Sequence, residues 1–388
     1  MSFDEIFDAL LRPRENGSAA LAEVASYLER TLRATGATVT LHEFVCRPYA
    51  GRIAGVVCLL LAVIFFVLMW RRRFAGALLV ALVLPAYLLM DYELRFPLLS
   101  RIGSVVEHNI VATFPVSRPQ RRVIVSAHYD SKTDLLDHQQ RAPVEFLVGP
   151  FVLFTSGLPL TALWRRWRRR SERHVRAWAI VAPVYFAGVC AVLSGGAMVH
   201  ARSPGALDDG AAVATLLQLA HRLGAGAPQL DHTEVDIVLF AGEEVGLQGS
   251  ARYVAERFTP RPTVPTYVIN AEGWGFGPLL SYFTSDRSVL KRYDASTPLV
   301  RALDRVYRKV THGVGLAPDV QPLTSDARSF LAAGIPSVTL SSQGSGEDRL
   351  RGLHSAADSR DRIQPAALDQ TLEFLQAALV DIDTRGVE

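Results

Sequence analysis

The chain has 388 residues, close to half of them apolar, and a formal net charge of +3. That length admits two domains, or one large α/β domain carrying insertions. The charge is too small to argue for nucleic acid, so no nucleic-acid partner is expected, and its clustering matters more than its sum. The three cysteines, Cys46, Cys58 and Cys190, include no Cys-x-x-Cys pair, so neither a cysteine zinc site nor a disulfide framework is indicated.

The N-terminal MSFDEIFDALLRPRENG is acidic and amphipathic, and it lacks the apolar core of a cleavable signal peptide. Residues 1–35 predict a helix or two, with apolar positions at helical spacing in AALAEVASYLERTL. VTLHEF (39–44) alternates like a strand. Ile53–Trp70 then runs 18 residues without a charge. As a helix it spans about 27 Å at ~1.5 Å per residue, close to the ~30 Å hydrocarbon core of a bilayer. Phe74–Met90 follows after Arg71, Arg72 and Arg73.

HNIVATF (108–114) and VIVSAH (123–128) predict strands. A second pair of apolar runs covers Phe146–Trp164 and Ala177–Val199, and the connector WRRWRRRSERHVR holds seven arginines between Arg165 and Arg176. Trp70, Trp164, Trp167 and Trp178 flank the connectors, where interfacial aromatics are expected. The runs predict two transmembrane hairpins, hence four membrane helices and membrane lipid as a partner. Arginine-rich short loops face the cytoplasm under the positive-inside rule, which places the rest of the chain on the other side.

Beyond the second pair, EVDIVLF (234–240), TYVINAE (266–272) and PSVTL (336–340) read as strands. AAVATLLQLAHRL (211–223), PLVRALDRVYRKV (298–310) and AALDQTLEFLQAAL (366–379) read as helices. Near-continuous apolar strands alternating with helices predict an α/β fold, a mostly parallel mixed sheet covered by helices on both faces. The expected organisation is this domain at 1–48, 96–140 and 201–388, with hairpin insertions at 49–95 and 141–200.

Five segments bring histidines and carboxylates to strand ends, where ligands bind in open α/β sheets. VIVSAHYDS holds His128 and, two residues on, Asp130, able to hydrogen-bond the imidazole and fix its tautomer. SPGALDDG holds Asp208 and Asp209 ahead of a helix, a position where aspartate also caps. VLFAGEEVGLQGS places Glu243 and Glu244 after a buried strand. Adjacent acids point in different directions, so one can bind metal while the other serves as general base. Glu272 closes an apolar strand, where a carboxylate needs a partner or a metal. His354 stands in GLHSAADS among small residues. Histidine and carboxylate ligands together suit zinc.

In the order and context of these segments the sequence resembles metallopeptidase family 28, the di-zinc aminopeptidases. HYDS, GALDDG, GEEVGLQGS and GLHSAADS resemble its ligand segments, and TSDARSFLAAGIPSVTLS, with Asp326, Phe330, Gly334, Ile335 and Pro336, resembles the stretch before its last histidine. Glu272 stands where many members carry aspartate, and Ala356 where proline is frequent. The resemblance implies a zinc-dependent exopeptidase fold, a peptide substrate and two zinc ions per chain. One ion would have His128, Asp208 and Glu272; the other Asp208, Glu244 and His354. Glu243 would be the general base and Asp130 the partner of His128. The hairpins lie outside the resemblance. A glutaminyl-cyclase-like single-zinc acyltransferase and a non-catalytic membrane receptor with a peptidase-like fold are the alternative expectations.

Overall fold

The computed structural model describes residues 2–90, 101–185, 187–188, 200–288, 290–320, 324–343 and 349–387. The chain forms two units. One comprises Met1–Pro48, Val105–Lys132 and Ala201–Glu388, the other Tyr49–Ser104 and Thr133–His200.

Among the described residues the first unit is built on ten strands: β1 Thr38–Cys46, β2 Val105–Phe114, β3 Arg121–His128, β4 Thr233–Phe240, β5 Thr266–Glu272, β6 Leu280–Phe283, β7 Ser285–Arg287, β8 Arg292–Asp294, β9 Ala317–Asp319 and β10 Ser337–Ser342. Eight of them make one mixed sheet in the order β1-β2-β4-β3-β5-β10-β6-β9, and β7 and β8 form a separate ribbon. β4, β3, β5 and β10 run parallel in the centre, and antiparallel strands flank them. The sequence marks the central strands because both of their faces are covered. In β3, Val123, Val125 and Ala127 pack into one apolar cluster while Ile124 packs into another, all without exposure.

Helices supply the covering layers. The helix Ala19–Ala34 starts where the Ser18 hydroxyl accepts from the amide of Leu21, satisfying one of the free first-turn donors. It buries Leu21, Val24, Leu28 and Leu32 at the three-to-four spacing of one helix face. Ala211–Gly224, Thr297–Val310 and Pro365–Arg385 join that layer, whereas Gln248–Arg257 and Ala327–Ala332 cover the opposite face around Tyr253, Val254 and Phe330. Each such apolar side chain contributes roughly 1.5–3 kcal/mol on burial, so these layers hold the strand ends in fixed positions.

The necks of both insertions are closed within the first unit. Cys46 and Val105 are directly opposed in the β1–β2 register. Ser131 donates its hydroxyl to the Ser203 carbonyl at 3.3 Å.

In the second unit, Ala50–Trp70 and Phe74–Leu88 pair along their lengths and meet Val148–Trp167 and Arg173–Trp178 around Phe65, Met69, Phe74, Leu158 and Val175. Its two arginine connectors touch: Arg72 pairs with Glu172 at 3.0 Å, and Arg176 donates to the Trp70 carbonyl at 2.8 Å. Among the described residues, one helix, Ala50–Trp70, is long and apolar enough to cross a membrane. Phe74–Leu88 has 15 residues, shorter than a full span, and Val148–Trp167 carries Pro159 and ends in Arg165 and Arg166. Four membrane helices are therefore more than the described helices support. The fourth apolar run falls largely on Phe186 and residues 189–199, Cys190 among them, which lie outside the described residues.

Candidate metal centre

The site lies at the carboxyl ends of the four central parallel strands. β3 ends on His128 and β5 on Glu272; the loop after β4 carries Glu243 and Glu244. The turn before Ala211–Gly224 brings Asp208, and the loop after β10 brings His354. All five metal-ligand candidates from the sequence meet here. His128 Nε2 is 3.1 Å from Asp208 Oδ1 and 3.8 Å from Glu272 Oε1. His354 Nε2 is 3.1 Å from Asp208 Oδ2 and 2.9 Å from Glu244 Oε2. Asp208 thus offers one oxygen to each of two histidine–carboxylate groups.

Local backbone geometry makes these placements. Gly205 adopts φ +59° at the start of the Asp208 turn, and a Cβ there would stand 2.6 Å from the Asp208 carbonyl oxygen. His354 itself has φ +62°, an uncommon conformation for a residue other than glycine that costs of order 1–3 kcal/mol. Gly249 lets the loop after β4 close tightly, since a Cβ would lie 2.0 Å from the Ala241 carbonyl oxygen.

The supporting contacts differ in part from expectation. His128 Nδ1 is 3.2 Å from the backbone carbonyl of Asp130 and 3.5 Å from its carboxylate Oδ1. Orientation of the ring therefore draws on both groups of Asp130. That carboxylate also accepts from the amides of Glu243 at 3.4 Å and Glu244 at 3.2 Å, so it holds the acidic loop as well. Asp208 and Asp209 do not cap the following helix, whose N-cap is Gly210 with no side-chain cap bond. Asp209 instead accepts from the Gly273 amide at 3.1 Å, beside Glu272.

Three supporting residues received no role in the sequence reading. Asp358 accepts from the amides of Leu207 at 2.8 Å and Asp208 at 3.2 Å, fixing the Asp208 turn from the loop that carries His354. Arg14 is fully buried, and Asn16 donates to Asp130 Oδ2 at 2.6 Å. Asp358 was visible only as the acid ending GLHSAAD. The stretch PRENG around Arg14 and Asn16 has the composition of an exposed turn, and nothing in it signals burial.

Acid crowding sets the electrostatics. Burial raises the Glu243 carboxyl well above the usual range, and Glu272, Asp326 and Glu244 push it further. Burial likewise raises Glu272 and Asp209. Asp326 is pushed up to about 7, by burial first. Burial would raise Asp208 too, but contact with His128 and His354 more than offsets it and holds Asp208 well below the usual range. For His128, burial favours the neutral ring, and the surrounding Asp130, Asp208 and Glu272 outweigh it, so its pKa lies well above the ordinary value.

Several inward-facing atoms, His128 Nε2, Glu244 Oε1 and Glu272 Oε2 among them, are buried and satisfy no hydrogen-bond geometry. One ligand atom from each of His128, Asp208 and Glu272 lies within 4.8 Å of the others. Clustered anions, ring nitrogens and unsatisfied inward oxygens fit a divalent cation, which neutralises the charge and takes up the lone pairs.

Residues 192–379 match the model of Peptidase family M28. They contain Asp208, Glu243, Glu244, Glu272 and His354, while His128 and Asp130 lie upstream of the match. No curated protein matches the chain. Among solved structures, a Zn-dependent exopeptidase from Parabacteroides distasonis is similar over 97% of each chain, with TM-score 0.58 and 15% identity. A glutaminyl cyclase from Fimbriiglobus ruber matches over 98% of this chain and 92% of its own, with TM-score 0.57 and 16% identity. A leucine aminopeptidase precursor from Bacteroides thetaiotaomicron matches over 97% and 93%, with TM-score 0.55 and 13% identity. The fold is thus shared with zinc exopeptidases and glutaminyl cyclases alike.

Proposed function

We propose that the chain is a zinc-dependent exopeptidase, an aminopeptidase that removes N-terminal residues from peptides. The observation that carries this reading is the placement of Asp208 between two histidine–carboxylate groups. His128, Asp208 and Glu272 would hold one zinc; Asp208, Glu244 and His354 would hold the second. Zinc, when bound, acidifies water and polarises the scissile carbonyl.

The rest of the chemistry belongs to the chain. Glu243 stands on the loop whose neighbour Glu244 faces His354, and its amide is held by Asp130. Burial and neighbouring acids make its carboxylate a stronger base than a free glutamate. It would take a proton from the attacking water and hand it to the leaving amine. Asp130 would keep His128 oriented and the Glu243–Glu244 loop in register.

Glutaminyl cyclases share the fold, and a single-zinc acyltransferase is the second reading. The complete His128–Asp208–Glu272 group favours two metals over one. Elemental analysis of protein purified without chelator should give about two zinc equivalents per chain. Chelation should stop release of free amino acids from a peptide panel, and Asp208→Asn should be the most damaging ligand change because it weakens both groups. One equivalent at saturating zinc, with cyclisation of N-terminal glutamine and no amino-acid release, would establish the acyltransferase instead.

We further propose that the second unit attaches the enzyme to a membrane through the Ala50–Trp70 helix, with the arginine connectors cytoplasmic and the peptidase on the other side. The support is the Ala50–Trp70 helix, free of charge from Ile53 onward, whose Val56, Leu60, Val63 and Ile64 are each about half exposed, together with the exposed tryptophans beside the connectors.

A further inference from the structure

Arg14 is a complete charge with no exposed surface. Its guanidinium donates to backbone carbonyls: Nε to Tyr129 at 2.7 Å, Nη1 to Leu10 at 3.2 Å and to Pro204, and Nη2 to Gly205 at 2.8 Å. Burying a guanidinium is costly, and an apolar side chain would fill the same space without that cost. What the arginine adds lies in which carbonyls it joins. Tyr129 sits between His128 and Asp130; Pro204 and Gly205 open the turn that ends in Asp208. One rigid fork therefore spans the two segments that deliver His128 and Asp208 to a common point. The packing is close, since a Cβ on Gly205 would stand 3.0 Å from Nη1. The carboxylates that chiefly stabilise its charge are those of Asp358, Asp130, Asp208 and Asp209, all from the candidate centre or its supports.

Two residues on, Asn16 extends the same segment to the other side. Its amide donates to Asp130 Oδ2, the oxygen that also accepts from the Glu244 amide. The backbone between is tied down as well: the Arg14 amide donates to Ser131 Oγ at 3.0 Å, and the Ser131 amide donates to the Arg14 carbonyl at 3.1 Å.

We propose that residues 14–16 form a strap that sets the metal affinity of the centre, with Arg14 and Asn16 as positioning residues. The proposal rests on the metallopeptidase reading. Arg14 fixes the separation of His128 from Asp208 and balances part of the acidic charge. Asn16 fixes Asp130, and through it the Glu243–Glu244 loop. Lysine cannot reproduce the planar fork, so it restores charge without geometry.

The test uses the full chain and reads zinc affinity by competition with a chromophoric chelator, alongside melting temperature with zinc and with EDTA. Partners that orient metal ligands are worth about 10–100-fold in metal affinity, and Arg14→Met should lose that much. Arg14→Lys should lose less, and Asn16→Ala, which leaves the Arg14 fork intact, about 10-fold. In each variant the zinc-induced rise in melting temperature should shrink. Equal destabilisation with and without zinc, at wild-type affinity, would show a purely structural role and overturn the strap. If Arg14→Met does not fold, Asn16→Ala decides by the same criterion. A wild-type chain that binds no zinc overturns the metallopeptidase reading and the strap together, whereas unaltered variants beside a zinc-binding wild type overturn the strap alone.

Discussion

At the scale of single residues, the candidate site divides into side chains that advertise themselves and side chains that do not. His128 and Glu272 stand at the ends of apolar strands, where a polar group needs a reason, and both were visible in the sequence. Arg14 was not, because its partners are carbonyl oxygens, which leave no trace in residue type. Glu243 gives the sharpest residue-level prediction. Glu243→Gln keeps the shape and removes the proton acceptor, so the variant should retain zinc and melting temperature while turnover falls about 10²–10⁴-fold. Steady-state peptide hydrolysis with zinc analysis on the same sample measures both. Near-normal turnover in a zinc-loaded sample would remove Glu243 from the role of base.

At the scale of elements, the strands with long apolar runs and the amphipathic helices lie where the sequence put them; TYVINAE coincides with β5 residue for residue. β6, β7, β8 and β9, of three or four residues each, were not legible, because so short a segment holds barely one period of alternation. Nor could the sequence show how the acidic loop is held to the sheet. Asn109, fully buried on β2, does this: its Oδ1 accepts from the Ala241 amide at 3.2 Å, and its Nδ2 donates to the Gly249 carbonyl at 3.0 Å. Asn109→Ala would leave the buried Ala241 amide without this acceptor, at about 1–3 kcal/mol, while the Gly249 carbonyl stays within its helix. The expected result is a clear drop in chemical-denaturation stability, and a loss below 0.5 kcal/mol would assign the loop's order to other contacts.

At the scale of the whole molecule, the chain divides into two units whose segments alternate along the sequence. Apolarity alone was a weaker guide to helix length: of the four runs, Ala50–Trp70 gives the one helix among the described residues that is long and apolar enough to cross a membrane. Val148–Trp167 is interrupted by Pro159 and carries Arg165 and Arg166 in its last turn, and the fourth run falls largely outside the described residues. Orientation is open to direct measurement. A cysteine at Ser171, in the second connector, should escape a membrane-impermeant thiol reagent on intact cells and react once the cells are permeabilised. Labelling from outside would place the connectors outside and the peptidase in the cytoplasm.

The closed necks have a consequence for how such a chain can be taken apart. Cys46 and Val105 face one another across an antiparallel pair, so everything between them occupies the place of an ordinary reverse turn. A two-residue Asn-Gly connection spans that gap without strain. Because loop-closure cost grows only with the logarithm of length, the many residues now filling the first gap add little entropic burden to pairing β1 with β2. At the second neck Ser131 and Ser203 are joined by a hydrogen bond. Excising both insertions at these points should leave a contiguous water-soluble catalytic half, freed of whatever surface the other half is built to meet.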